Sequence, residues 1–203
     1  MKYVPLKEGN KWATSVCSRN GNGGIHDQTQ LRAAVAMLET AAASWSEPKL
    51  MHIVLTGADR AGYKGFIDRM KRHLPVKAYK AATEFDKPKG EHVHWMLIID
   101  DSSPMHLFDQ DDDSSAIYKE TQRIQRTYPD FDAYISKPYR HHTPFIPVNA
   151  NTLDDAVDWF SYALKARSKP ASGNCYWSSR SRASRCNARQ GSIQSMPGSI
   201  LLH

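Results

Sequence analysis

Apolar positions along the chain switch between a helical and a strand period, and the switches predict its elements. Between residues 27 and 45, Leu31, Ala34, Val35, Leu38 and Ala42 recur at helical spacing in an Ala-rich stretch. Leu50 to Thr56 (LMHIVLT) is a short continuous apolar run, the signature of a buried strand. Asp59 to His73 reads as a helix that stops before Pro75. Val76 to Phe85 and His92 to Ile99 read as strands, separated by Asp86-Lys87-Pro88-Lys89-Gly90, a turn by composition. Asp113 to Arg126 predicts a helix, Phe131 to Ile135 a strand and Phe145 to Val148 a short one. Thr152 to Arg167 predicts a last helix, with Thr152 as N-cap and Asp155 in the first turn.

After the first helix the order is β-α-β-β-α-β, followed by a helix. That order predicts an α+β fold: a ferredoxin-like split βαβ arrangement, an antiparallel sheet with helices on one face and the His92–His94 strand at its centre. Many functions share such a sheet, so the fold alone selects none. Residues 1–25 read as a lead-in ending in Gly21-Asn22-Gly23-Gly24, residues 26–169 as one domain, and residues 170–203 as a basic segment rich in Ser, Arg and Gly, open to partial disorder. No Gly-Lys-Ser/Thr follows the glycines, so there is no ATPase loop.

The 203 residues carry a formal net charge of +6, and its distribution says more than its size. From Trp159 to the end of the sequence there is no Asp or Glu, while Lys165, Arg167, Lys169, Arg180, Arg182, Arg185 and Arg189 fall there. The acidic cluster Asp109, Asp111, Asp112 and Asp113 lies elsewhere. Such asymmetry suits an anionic polymer along one surface, with Arg167, Lys169, Arg180, Arg182 and Arg185 as candidate DNA contacts; a solvated basic tail is the plainer alternative. Cys17, Cys175 and Cys186 are odd in number and lack C-x-x-C spacing, which argues against a disulfide scaffold or zinc knuckle. The first residues lack the apolar run of a signal peptide, and no stretch approaches the ~20 apolar residues of a membrane span. The expectation is a soluble cytoplasmic protein with no membrane partner.

Two imidazoles on one strand bring in specific chemistry. His92 and His94 alternate on one face, roughly 6.5–7 Å apart along the backbone, and can converge on one cation. Met96 and Ile98 continue that face, and Val93, Trp95, Leu97 and Ile99 make the other face apolar as well. Histidines in a strand covered on both sides need polar partners or a metal. If the 86–90 turn sets Phe85 opposite Glu91, then Glu84 lies opposite His92, with Cβ atoms about 4.5–5.5 Å apart. Glu84, His92 and His94 then form a two-His, one-carboxylate set. It suits Mg²⁺ or Mn²⁺ acting on a phosphate, and Zn²⁺ or Co²⁺ also fit. A one-residue slip would move Glu84 to the opposite face. The spacing does not match the H-x-H-x-D-H of metallo-hydrolases, because Trp95 and Met96 follow, and Leu97 to Asp100 lack the Glu of a cupin.

In the last helix Leu153, Val157, Phe160 and Leu164 form one stripe, and Tyr162 lies nearly opposite it, with Asp158 and Lys165 alongside. If Tyr162 reaches the metal, the stripe is expected to pack away from the histidines or the helix to lie edge-on. Free tyrosine has a pKa of about 10. A neighbouring Lys165 and a bound cation would favour the phenolate, making Tyr162 and Lys165 a candidate nucleophile and helper.

Taken together these residues resemble the HUH endonuclease superfamily, specifically its single-tyrosine rolling-circle replication initiators. Leu50 to Thr56 resembles the family's first motif, Glu84 with His92-Val93-His94 the metal motif, and Tyr162-Ala163-Leu164-Lys165 the Y-x-x-K motif, spanning roughly residues 50–168. The tyrosine follows the histidines, unlike in conjugative relaxases, and Asp158 and Ala166 offer no second tyrosine on the helix. The resemblance implies a 5′-phosphotyrosyl link with a free 3′-hydroxyl, single-stranded or hairpin origin DNA as substrate, a divalent cation, and strand separation by a host helicase in a bacterial or archaeal cell, from a plasmid, virus or mobile element. A non-catalytic nucleic-acid-binding module, a related transposase or relaxase of the same superfamily, and a zinc-stabilised structural protein are the competing readings. Trp159, Tyr176 and Trp177 are candidates for stacking on unpaired bases, and His141-His142 for a spare ligand or an exposed loop pair.

Overall fold

A computed structural model describes residues 28–86, 90–102, 104–138, 142–164 and 175–179. Its elements in chain order are α1 (Gln28–Ser44), β1 (Pro48–Thr56), α2 (Arg60–His73), β2 (Val76–Asp86), β3 (Gly90–Asp100), a 3₁₀ turn (Pro104–Leu107), α3 (Ala116–Gln125), β4 (Asp132–Ser136), β5 (Phe145–Pro147), α4 (Leu153–Tyr162) and β6 (Tyr176–Ser178). Local chemistry explains several boundaries. Asp59 caps α2 by accepting from the Gly62 amide at 2.9 Å, and Ser115 caps α3 by accepting from Tyr118. Thr152 stands at the N-cap of α4 as its position predicts, but its hydroxyl donates to the Pro147 carbonyl, tying the helix start to β5.

The described residues form an α+β fold around a six-stranded sheet. Its strand order is β4-β1-β3-β2-β6, with β5 also pairing β1, and all the pairings are antiparallel. The outer edge of β1 is shared: β4 pairs with His52–Thr56 and β5 with Lys49–Met51. β3 lies at the centre between β1 and β2, so Val93 through Ile99 are buried on both faces.

The helices differ from the one-sided cover predicted above. Those that connect β1 to β2 and β3 to β4 do share a face: Tyr63, Phe66, Ile67 and Met70 of α2 and Ile117 and Ile124 of α3 pack with Trp95, Leu97 and Ile53. The opposite face is covered as well. Leu31, Val35 and Leu38 of α1 and Val157 and Phe160 of α4 form a second core with Leu50, Met96 and Ile98. A strand apolar on both faces needs two covers, and α1 and α4 supply the second. β6 was not predicted either. Within the segment read as a basic tail, Tyr176–Ser178 adds to the edge of β2, and Thr83 donates to the Cys175 carbonyl at 2.8 Å. Cys175 is buried there and is in no disulfide among the described residues.

Gly57 closes β1 at φ 73°, a left-handed conformation that glycine adopts at low cost. A Cβ there would lie 1.8 Å from the Asp130 carbonyl oxygen, in the turn that leads into β4. Backbone cannot yield as a flexible side chain can. Gly57→Ala is therefore expected to lower stability by roughly 2–4 kcal/mol, a large effect for one methyl group. Urea or thermal melts of the two proteins measure it; an unchanged midpoint would mean that the β1–β4 corner relaxes freely.

Candidate metal centre

Register builds the site. β2 and β3 pair with Asp86 opposite Gly90, Phe85 opposite Glu91 and Glu84 opposite His92, the alignment anticipated from the 86–90 turn. Gly90, at φ 67°, provides the left-handed residue on the β3 side of that turn. Glu84, His92 and His94 consequently share a face, and all three are buried. Each contributes a ligand atom within 4.8 Å of the others. The Glu84 Oε2 lies 3.3 Å from His94 Nε2 and 4.0 Å from His92 Nε2.

Proton placement on His92 follows from its other nitrogen. His92 Nδ1 is 3.2 Å from the Gly90 carbonyl, which can only accept, so Nδ1 donates. In the neutral ring this leaves the Nε2 lone pair aimed toward a carboxylate that is also an acceptor. Two acceptors facing each other in a buried site fit a cation between them. The Glu84, His92 and His94 group could thus bind a divalent metal ion, by donor type as well as by spacing.

A fourth buried group, His52 on β1, was not among the predicted site residues. It pairs with Met96, diagonal to His94 on the same sheet face, and is 1% exposed. Its Nε2 lies 2.8 Å from His94 Nδ1. The sequence carried a signal: His52 is the polar residue inside the apolar run LMHIVL, and a polar group in a buried strand needs a partner. What the sequence could not supply was the β1–β3 register that brings it to His94. Burial holds the His52 pKa well below the usual histidine value, and the neighbouring His94 lowers it further, against a smaller opposing pull from Glu84.

Tyr162 is the last residue of α4 and is 43% exposed. Its ring centroid lies 5.5 Å from that of His94, edge to face, and 6.3 Å from that of His52. The expected conflict between burying the helix stripe and reaching the histidines does not arise. The α4 stripe packs on the same sheet face, in one core with Leu50, Met96 and Ile98, while the histidines occupy the neighbouring length of that face. Tyr162, off the stripe and at the helix end, comes beside them. The helix is shorter than predicted: Ala163 and Leu164 donate to Phe160 and Ser161, tightening into a turn after Tyr162.

Other predicted residues divide. Tyr176 is buried in the α1–α4 core, which excludes it as a stacking platform. Trp177 is partly buried with the Arg60 guanidinium over its ring at 5.0 Å, and Trp159 packs edge-on to His52 at 5.8 Å. His142 is exposed. Lys165, Arg167, Lys169, Arg180, Arg182 and Arg185 lie outside the described residues, as do His141 and the lead-in 1–25. Among the described residues no helix is long and apolar enough to cross a membrane.

Comparison with protein-family models, with curated proteins and with solved structures returns no match to this chain.

The His52 shift has a signed consequence. Its folded pKa is lower than its unfolded pKa of about 6.5. Its titration therefore costs no stability above about pH 6.5 and destabilises the fold increasingly as pH falls toward the folded value, because only the unfolded chain takes up the proton. Chelator-treated protein should melt lower at pH 5.5 than at pH 7.5, and His52→Leu should show a smaller difference between the two. An equal difference in both proteins would assign the acid sensitivity to other groups.

Proposed function

We propose that this chain is a metal-dependent endonuclease and strand transferase acting on single-stranded DNA, of the rolling-circle initiator type that its motifs resemble. The observation that carries the reading is the placement of Tyr162. A partly exposed tyrosine stands at a helix end, with its ring 5.5 Å from a histidine of a buried Glu-His-His set. The sheet order β4-β1-β3-β2, with its two connecting helices on one face, supports the ferredoxin-like assignment that goes with it.

In this reading Glu84, His92 and His94 would hold a divalent cation, with Glu84 Oε2 and the two histidine Nε2 atoms turned toward one another. Two nitrogens among three donors favour Mn²⁺ over Mg²⁺, which prefers oxygen ligands. When bound, the cation neutralises the non-bridging oxygens of the scissile phosphate. The Tyr162 phenolate oxygen attacks phosphorus. A Tyr–O–P bond forms to the 5′ side, the P–O3′ bond breaks, and the departing 3′ oxygen takes up a proton to leave a free 3′-hydroxyl. The exchange of one phosphodiester for another conserves the bond energy, so the break can be resealed. α4, anchored by Val157 and Phe160, holds the tyrosine in place, and the exposure of its ring admits a polymer. Lys165 would steady the phenolate, and the basic residues that follow would track the DNA backbone. Separation of the strands would fall to a host helicase.

The test is covalent adduct formation. Full-length protein is incubated with Mn²⁺ and hairpin or single-stranded oligonucleotides from rolling-circle origins, then run on a denaturing gel. An adduct is expected with wild type, none with Tyr162→Phe, and at least about a 100-fold slower reaction with Glu84→Gln, a loss typical of an interaction made in the transition state. Undiminished adduct with Tyr162→Phe would rule out this nucleophile. DNA binding indifferent to chelator and to His92→Ala, with no adduct under any condition, would instead favour a non-catalytic binding module.

A further inference from the structure

We infer that His52 is a positioning residue for the metal centre, holding His94 by its Nδ1 so that Nε2 is presented to the cation. The inference rests on the metal-binding reading above and gives a role to a residue of the Leu50–Thr56 segment that is not among the predicted site residues.

The two imidazoles of the site are held in parallel ways. His92 is fixed at Nδ1 by the Gly90 carbonyl and turns Nε2 toward Glu84. His94 turns Nε2 toward the same oxygen, at 3.3 Å, and its Nδ1 faces His52 Nε2 at 2.8 Å. A histidine that ligates through Nε2 carries its proton on Nδ1 and donates it to an outer partner, which sets ring orientation and raises ligand basicity. For His94 that partner is His52, whose Nε2 must then accept. This places the His52 proton on Nδ1.

That tautomer carries a cost visible in the structure. His52 Nδ1 is buried and has no hydrogen-bond partner among the described residues. A buried donor without a partner destabilises a fold, and an apolar side chain of similar size would avoid it. A histidine at this position is therefore unfavourable for the core alone. Its other nitrogen accounts for its presence, since Nε2 meets the one atom of His94 that metal binding needs held. Trp159 packs edge-on to the His52 ring at 5.8 Å, and the ring is tilted 32° to that of His94 with centroids 4.9 Å apart, an arrangement that restrains both rings. His52 itself is not a ligand in this arrangement, because its Nε2 is engaged with His94.

The experiment is metal binding by the full chain, stripped with chelator and titrated with Co²⁺ while the d–d absorption is followed, with Mn²⁺ affinity from calorimetry. His52→Ala is expected to weaken both metals by about 10- to 100-fold, the usual effect of removing an outer-shell partner, and to change the Co²⁺ band shape. His52→Gln, whose amide oxygen can replace Nε2 as acceptor, should recover most of the affinity. His52→Leu should bind as poorly as His52→Ala while the metal-free protein melts no lower than wild type at pH 7.5. Equal loss in His52→Gln and His52→Leu would trace the effect to ring packing and overturn the inference. So would wild-type affinity and spectrum in His52→Ala when His92→Ala abolishes binding. Failure of wild type to bind either metal would instead overturn the metal reading itself, and the role of His52 with it.

Discussion

The pairing of β2 with β3 sets Glu84 opposite His92, and the geometry of the candidate centre depends on it. Side chains alternate across a strand, so a slip by one residue would carry Glu84 to the Trp95 face and leave two histidines without their carboxylate. The register is held by more than the hairpin turn. Trp95, Leu97 and Ile99 fill the core under α2 and α3, while Met96 and Ile98 fill the one under α1 and α4. Moving β3 by one residue would exchange these two sets between differently shaped cavities. Close packing resists that exchange, and the site inherits its precision from the two cores that flank it.

One face of the sheet does two jobs. Along one part, Leu50, Met96 and Ile98 bury α1 and α4; along the next, His52, His92, His94 and Glu84 gather in the same desolvated layer. Low dielectric makes polar groups there expensive unless each is matched. His92 is matched by a backbone carbonyl and His94 by His52, and the Nε2 atoms of both rings lie toward the Glu84 carboxylate. A divalent cation could complete such an arrangement. α4 links the two parts, since its apolar stripe anchors it in the core while its last residue, Tyr162, stands over the polar end. A tyrosine positioned in this way is held at its base by the helix and exposed at its ring.

Much of this was legible in one dimension. Periodicity marks the helices and strands to within a few residues over most of their lengths, because burial on one stripe or one face is written into residue order. The 86–90 turn was enough to align Glu84 with His92, since a short hairpin leaves little freedom of register. Tyr162 could be read as lying off its helix stripe. β6 was not legible, because a three-residue strand shows no period and Tyr176-Trp177-Ser178 is embedded in a Ser- and Arg-rich stretch. The early end of α4 was missed for a related reason: Ala163 and Leu164 are good helix formers, and the turn that removes them from the helix keeps both buried.

The sequence by itself determined the local facts: which segments are helix or strand, that β3 is covered on both sides, and that a Glu-His-His set can form across one hairpin. These follow from neighbours in the chain. Only the tertiary structure decided that α1 and α4 close the second face of the sheet, that α4 carries Tyr162 to His94, and that His52 meets His94 from a strand 42 residues away. Such contacts depend on how β1 pairs with β3 and on which face each helix takes. No local pattern encodes those choices, because they are set by the joint packing of two cores.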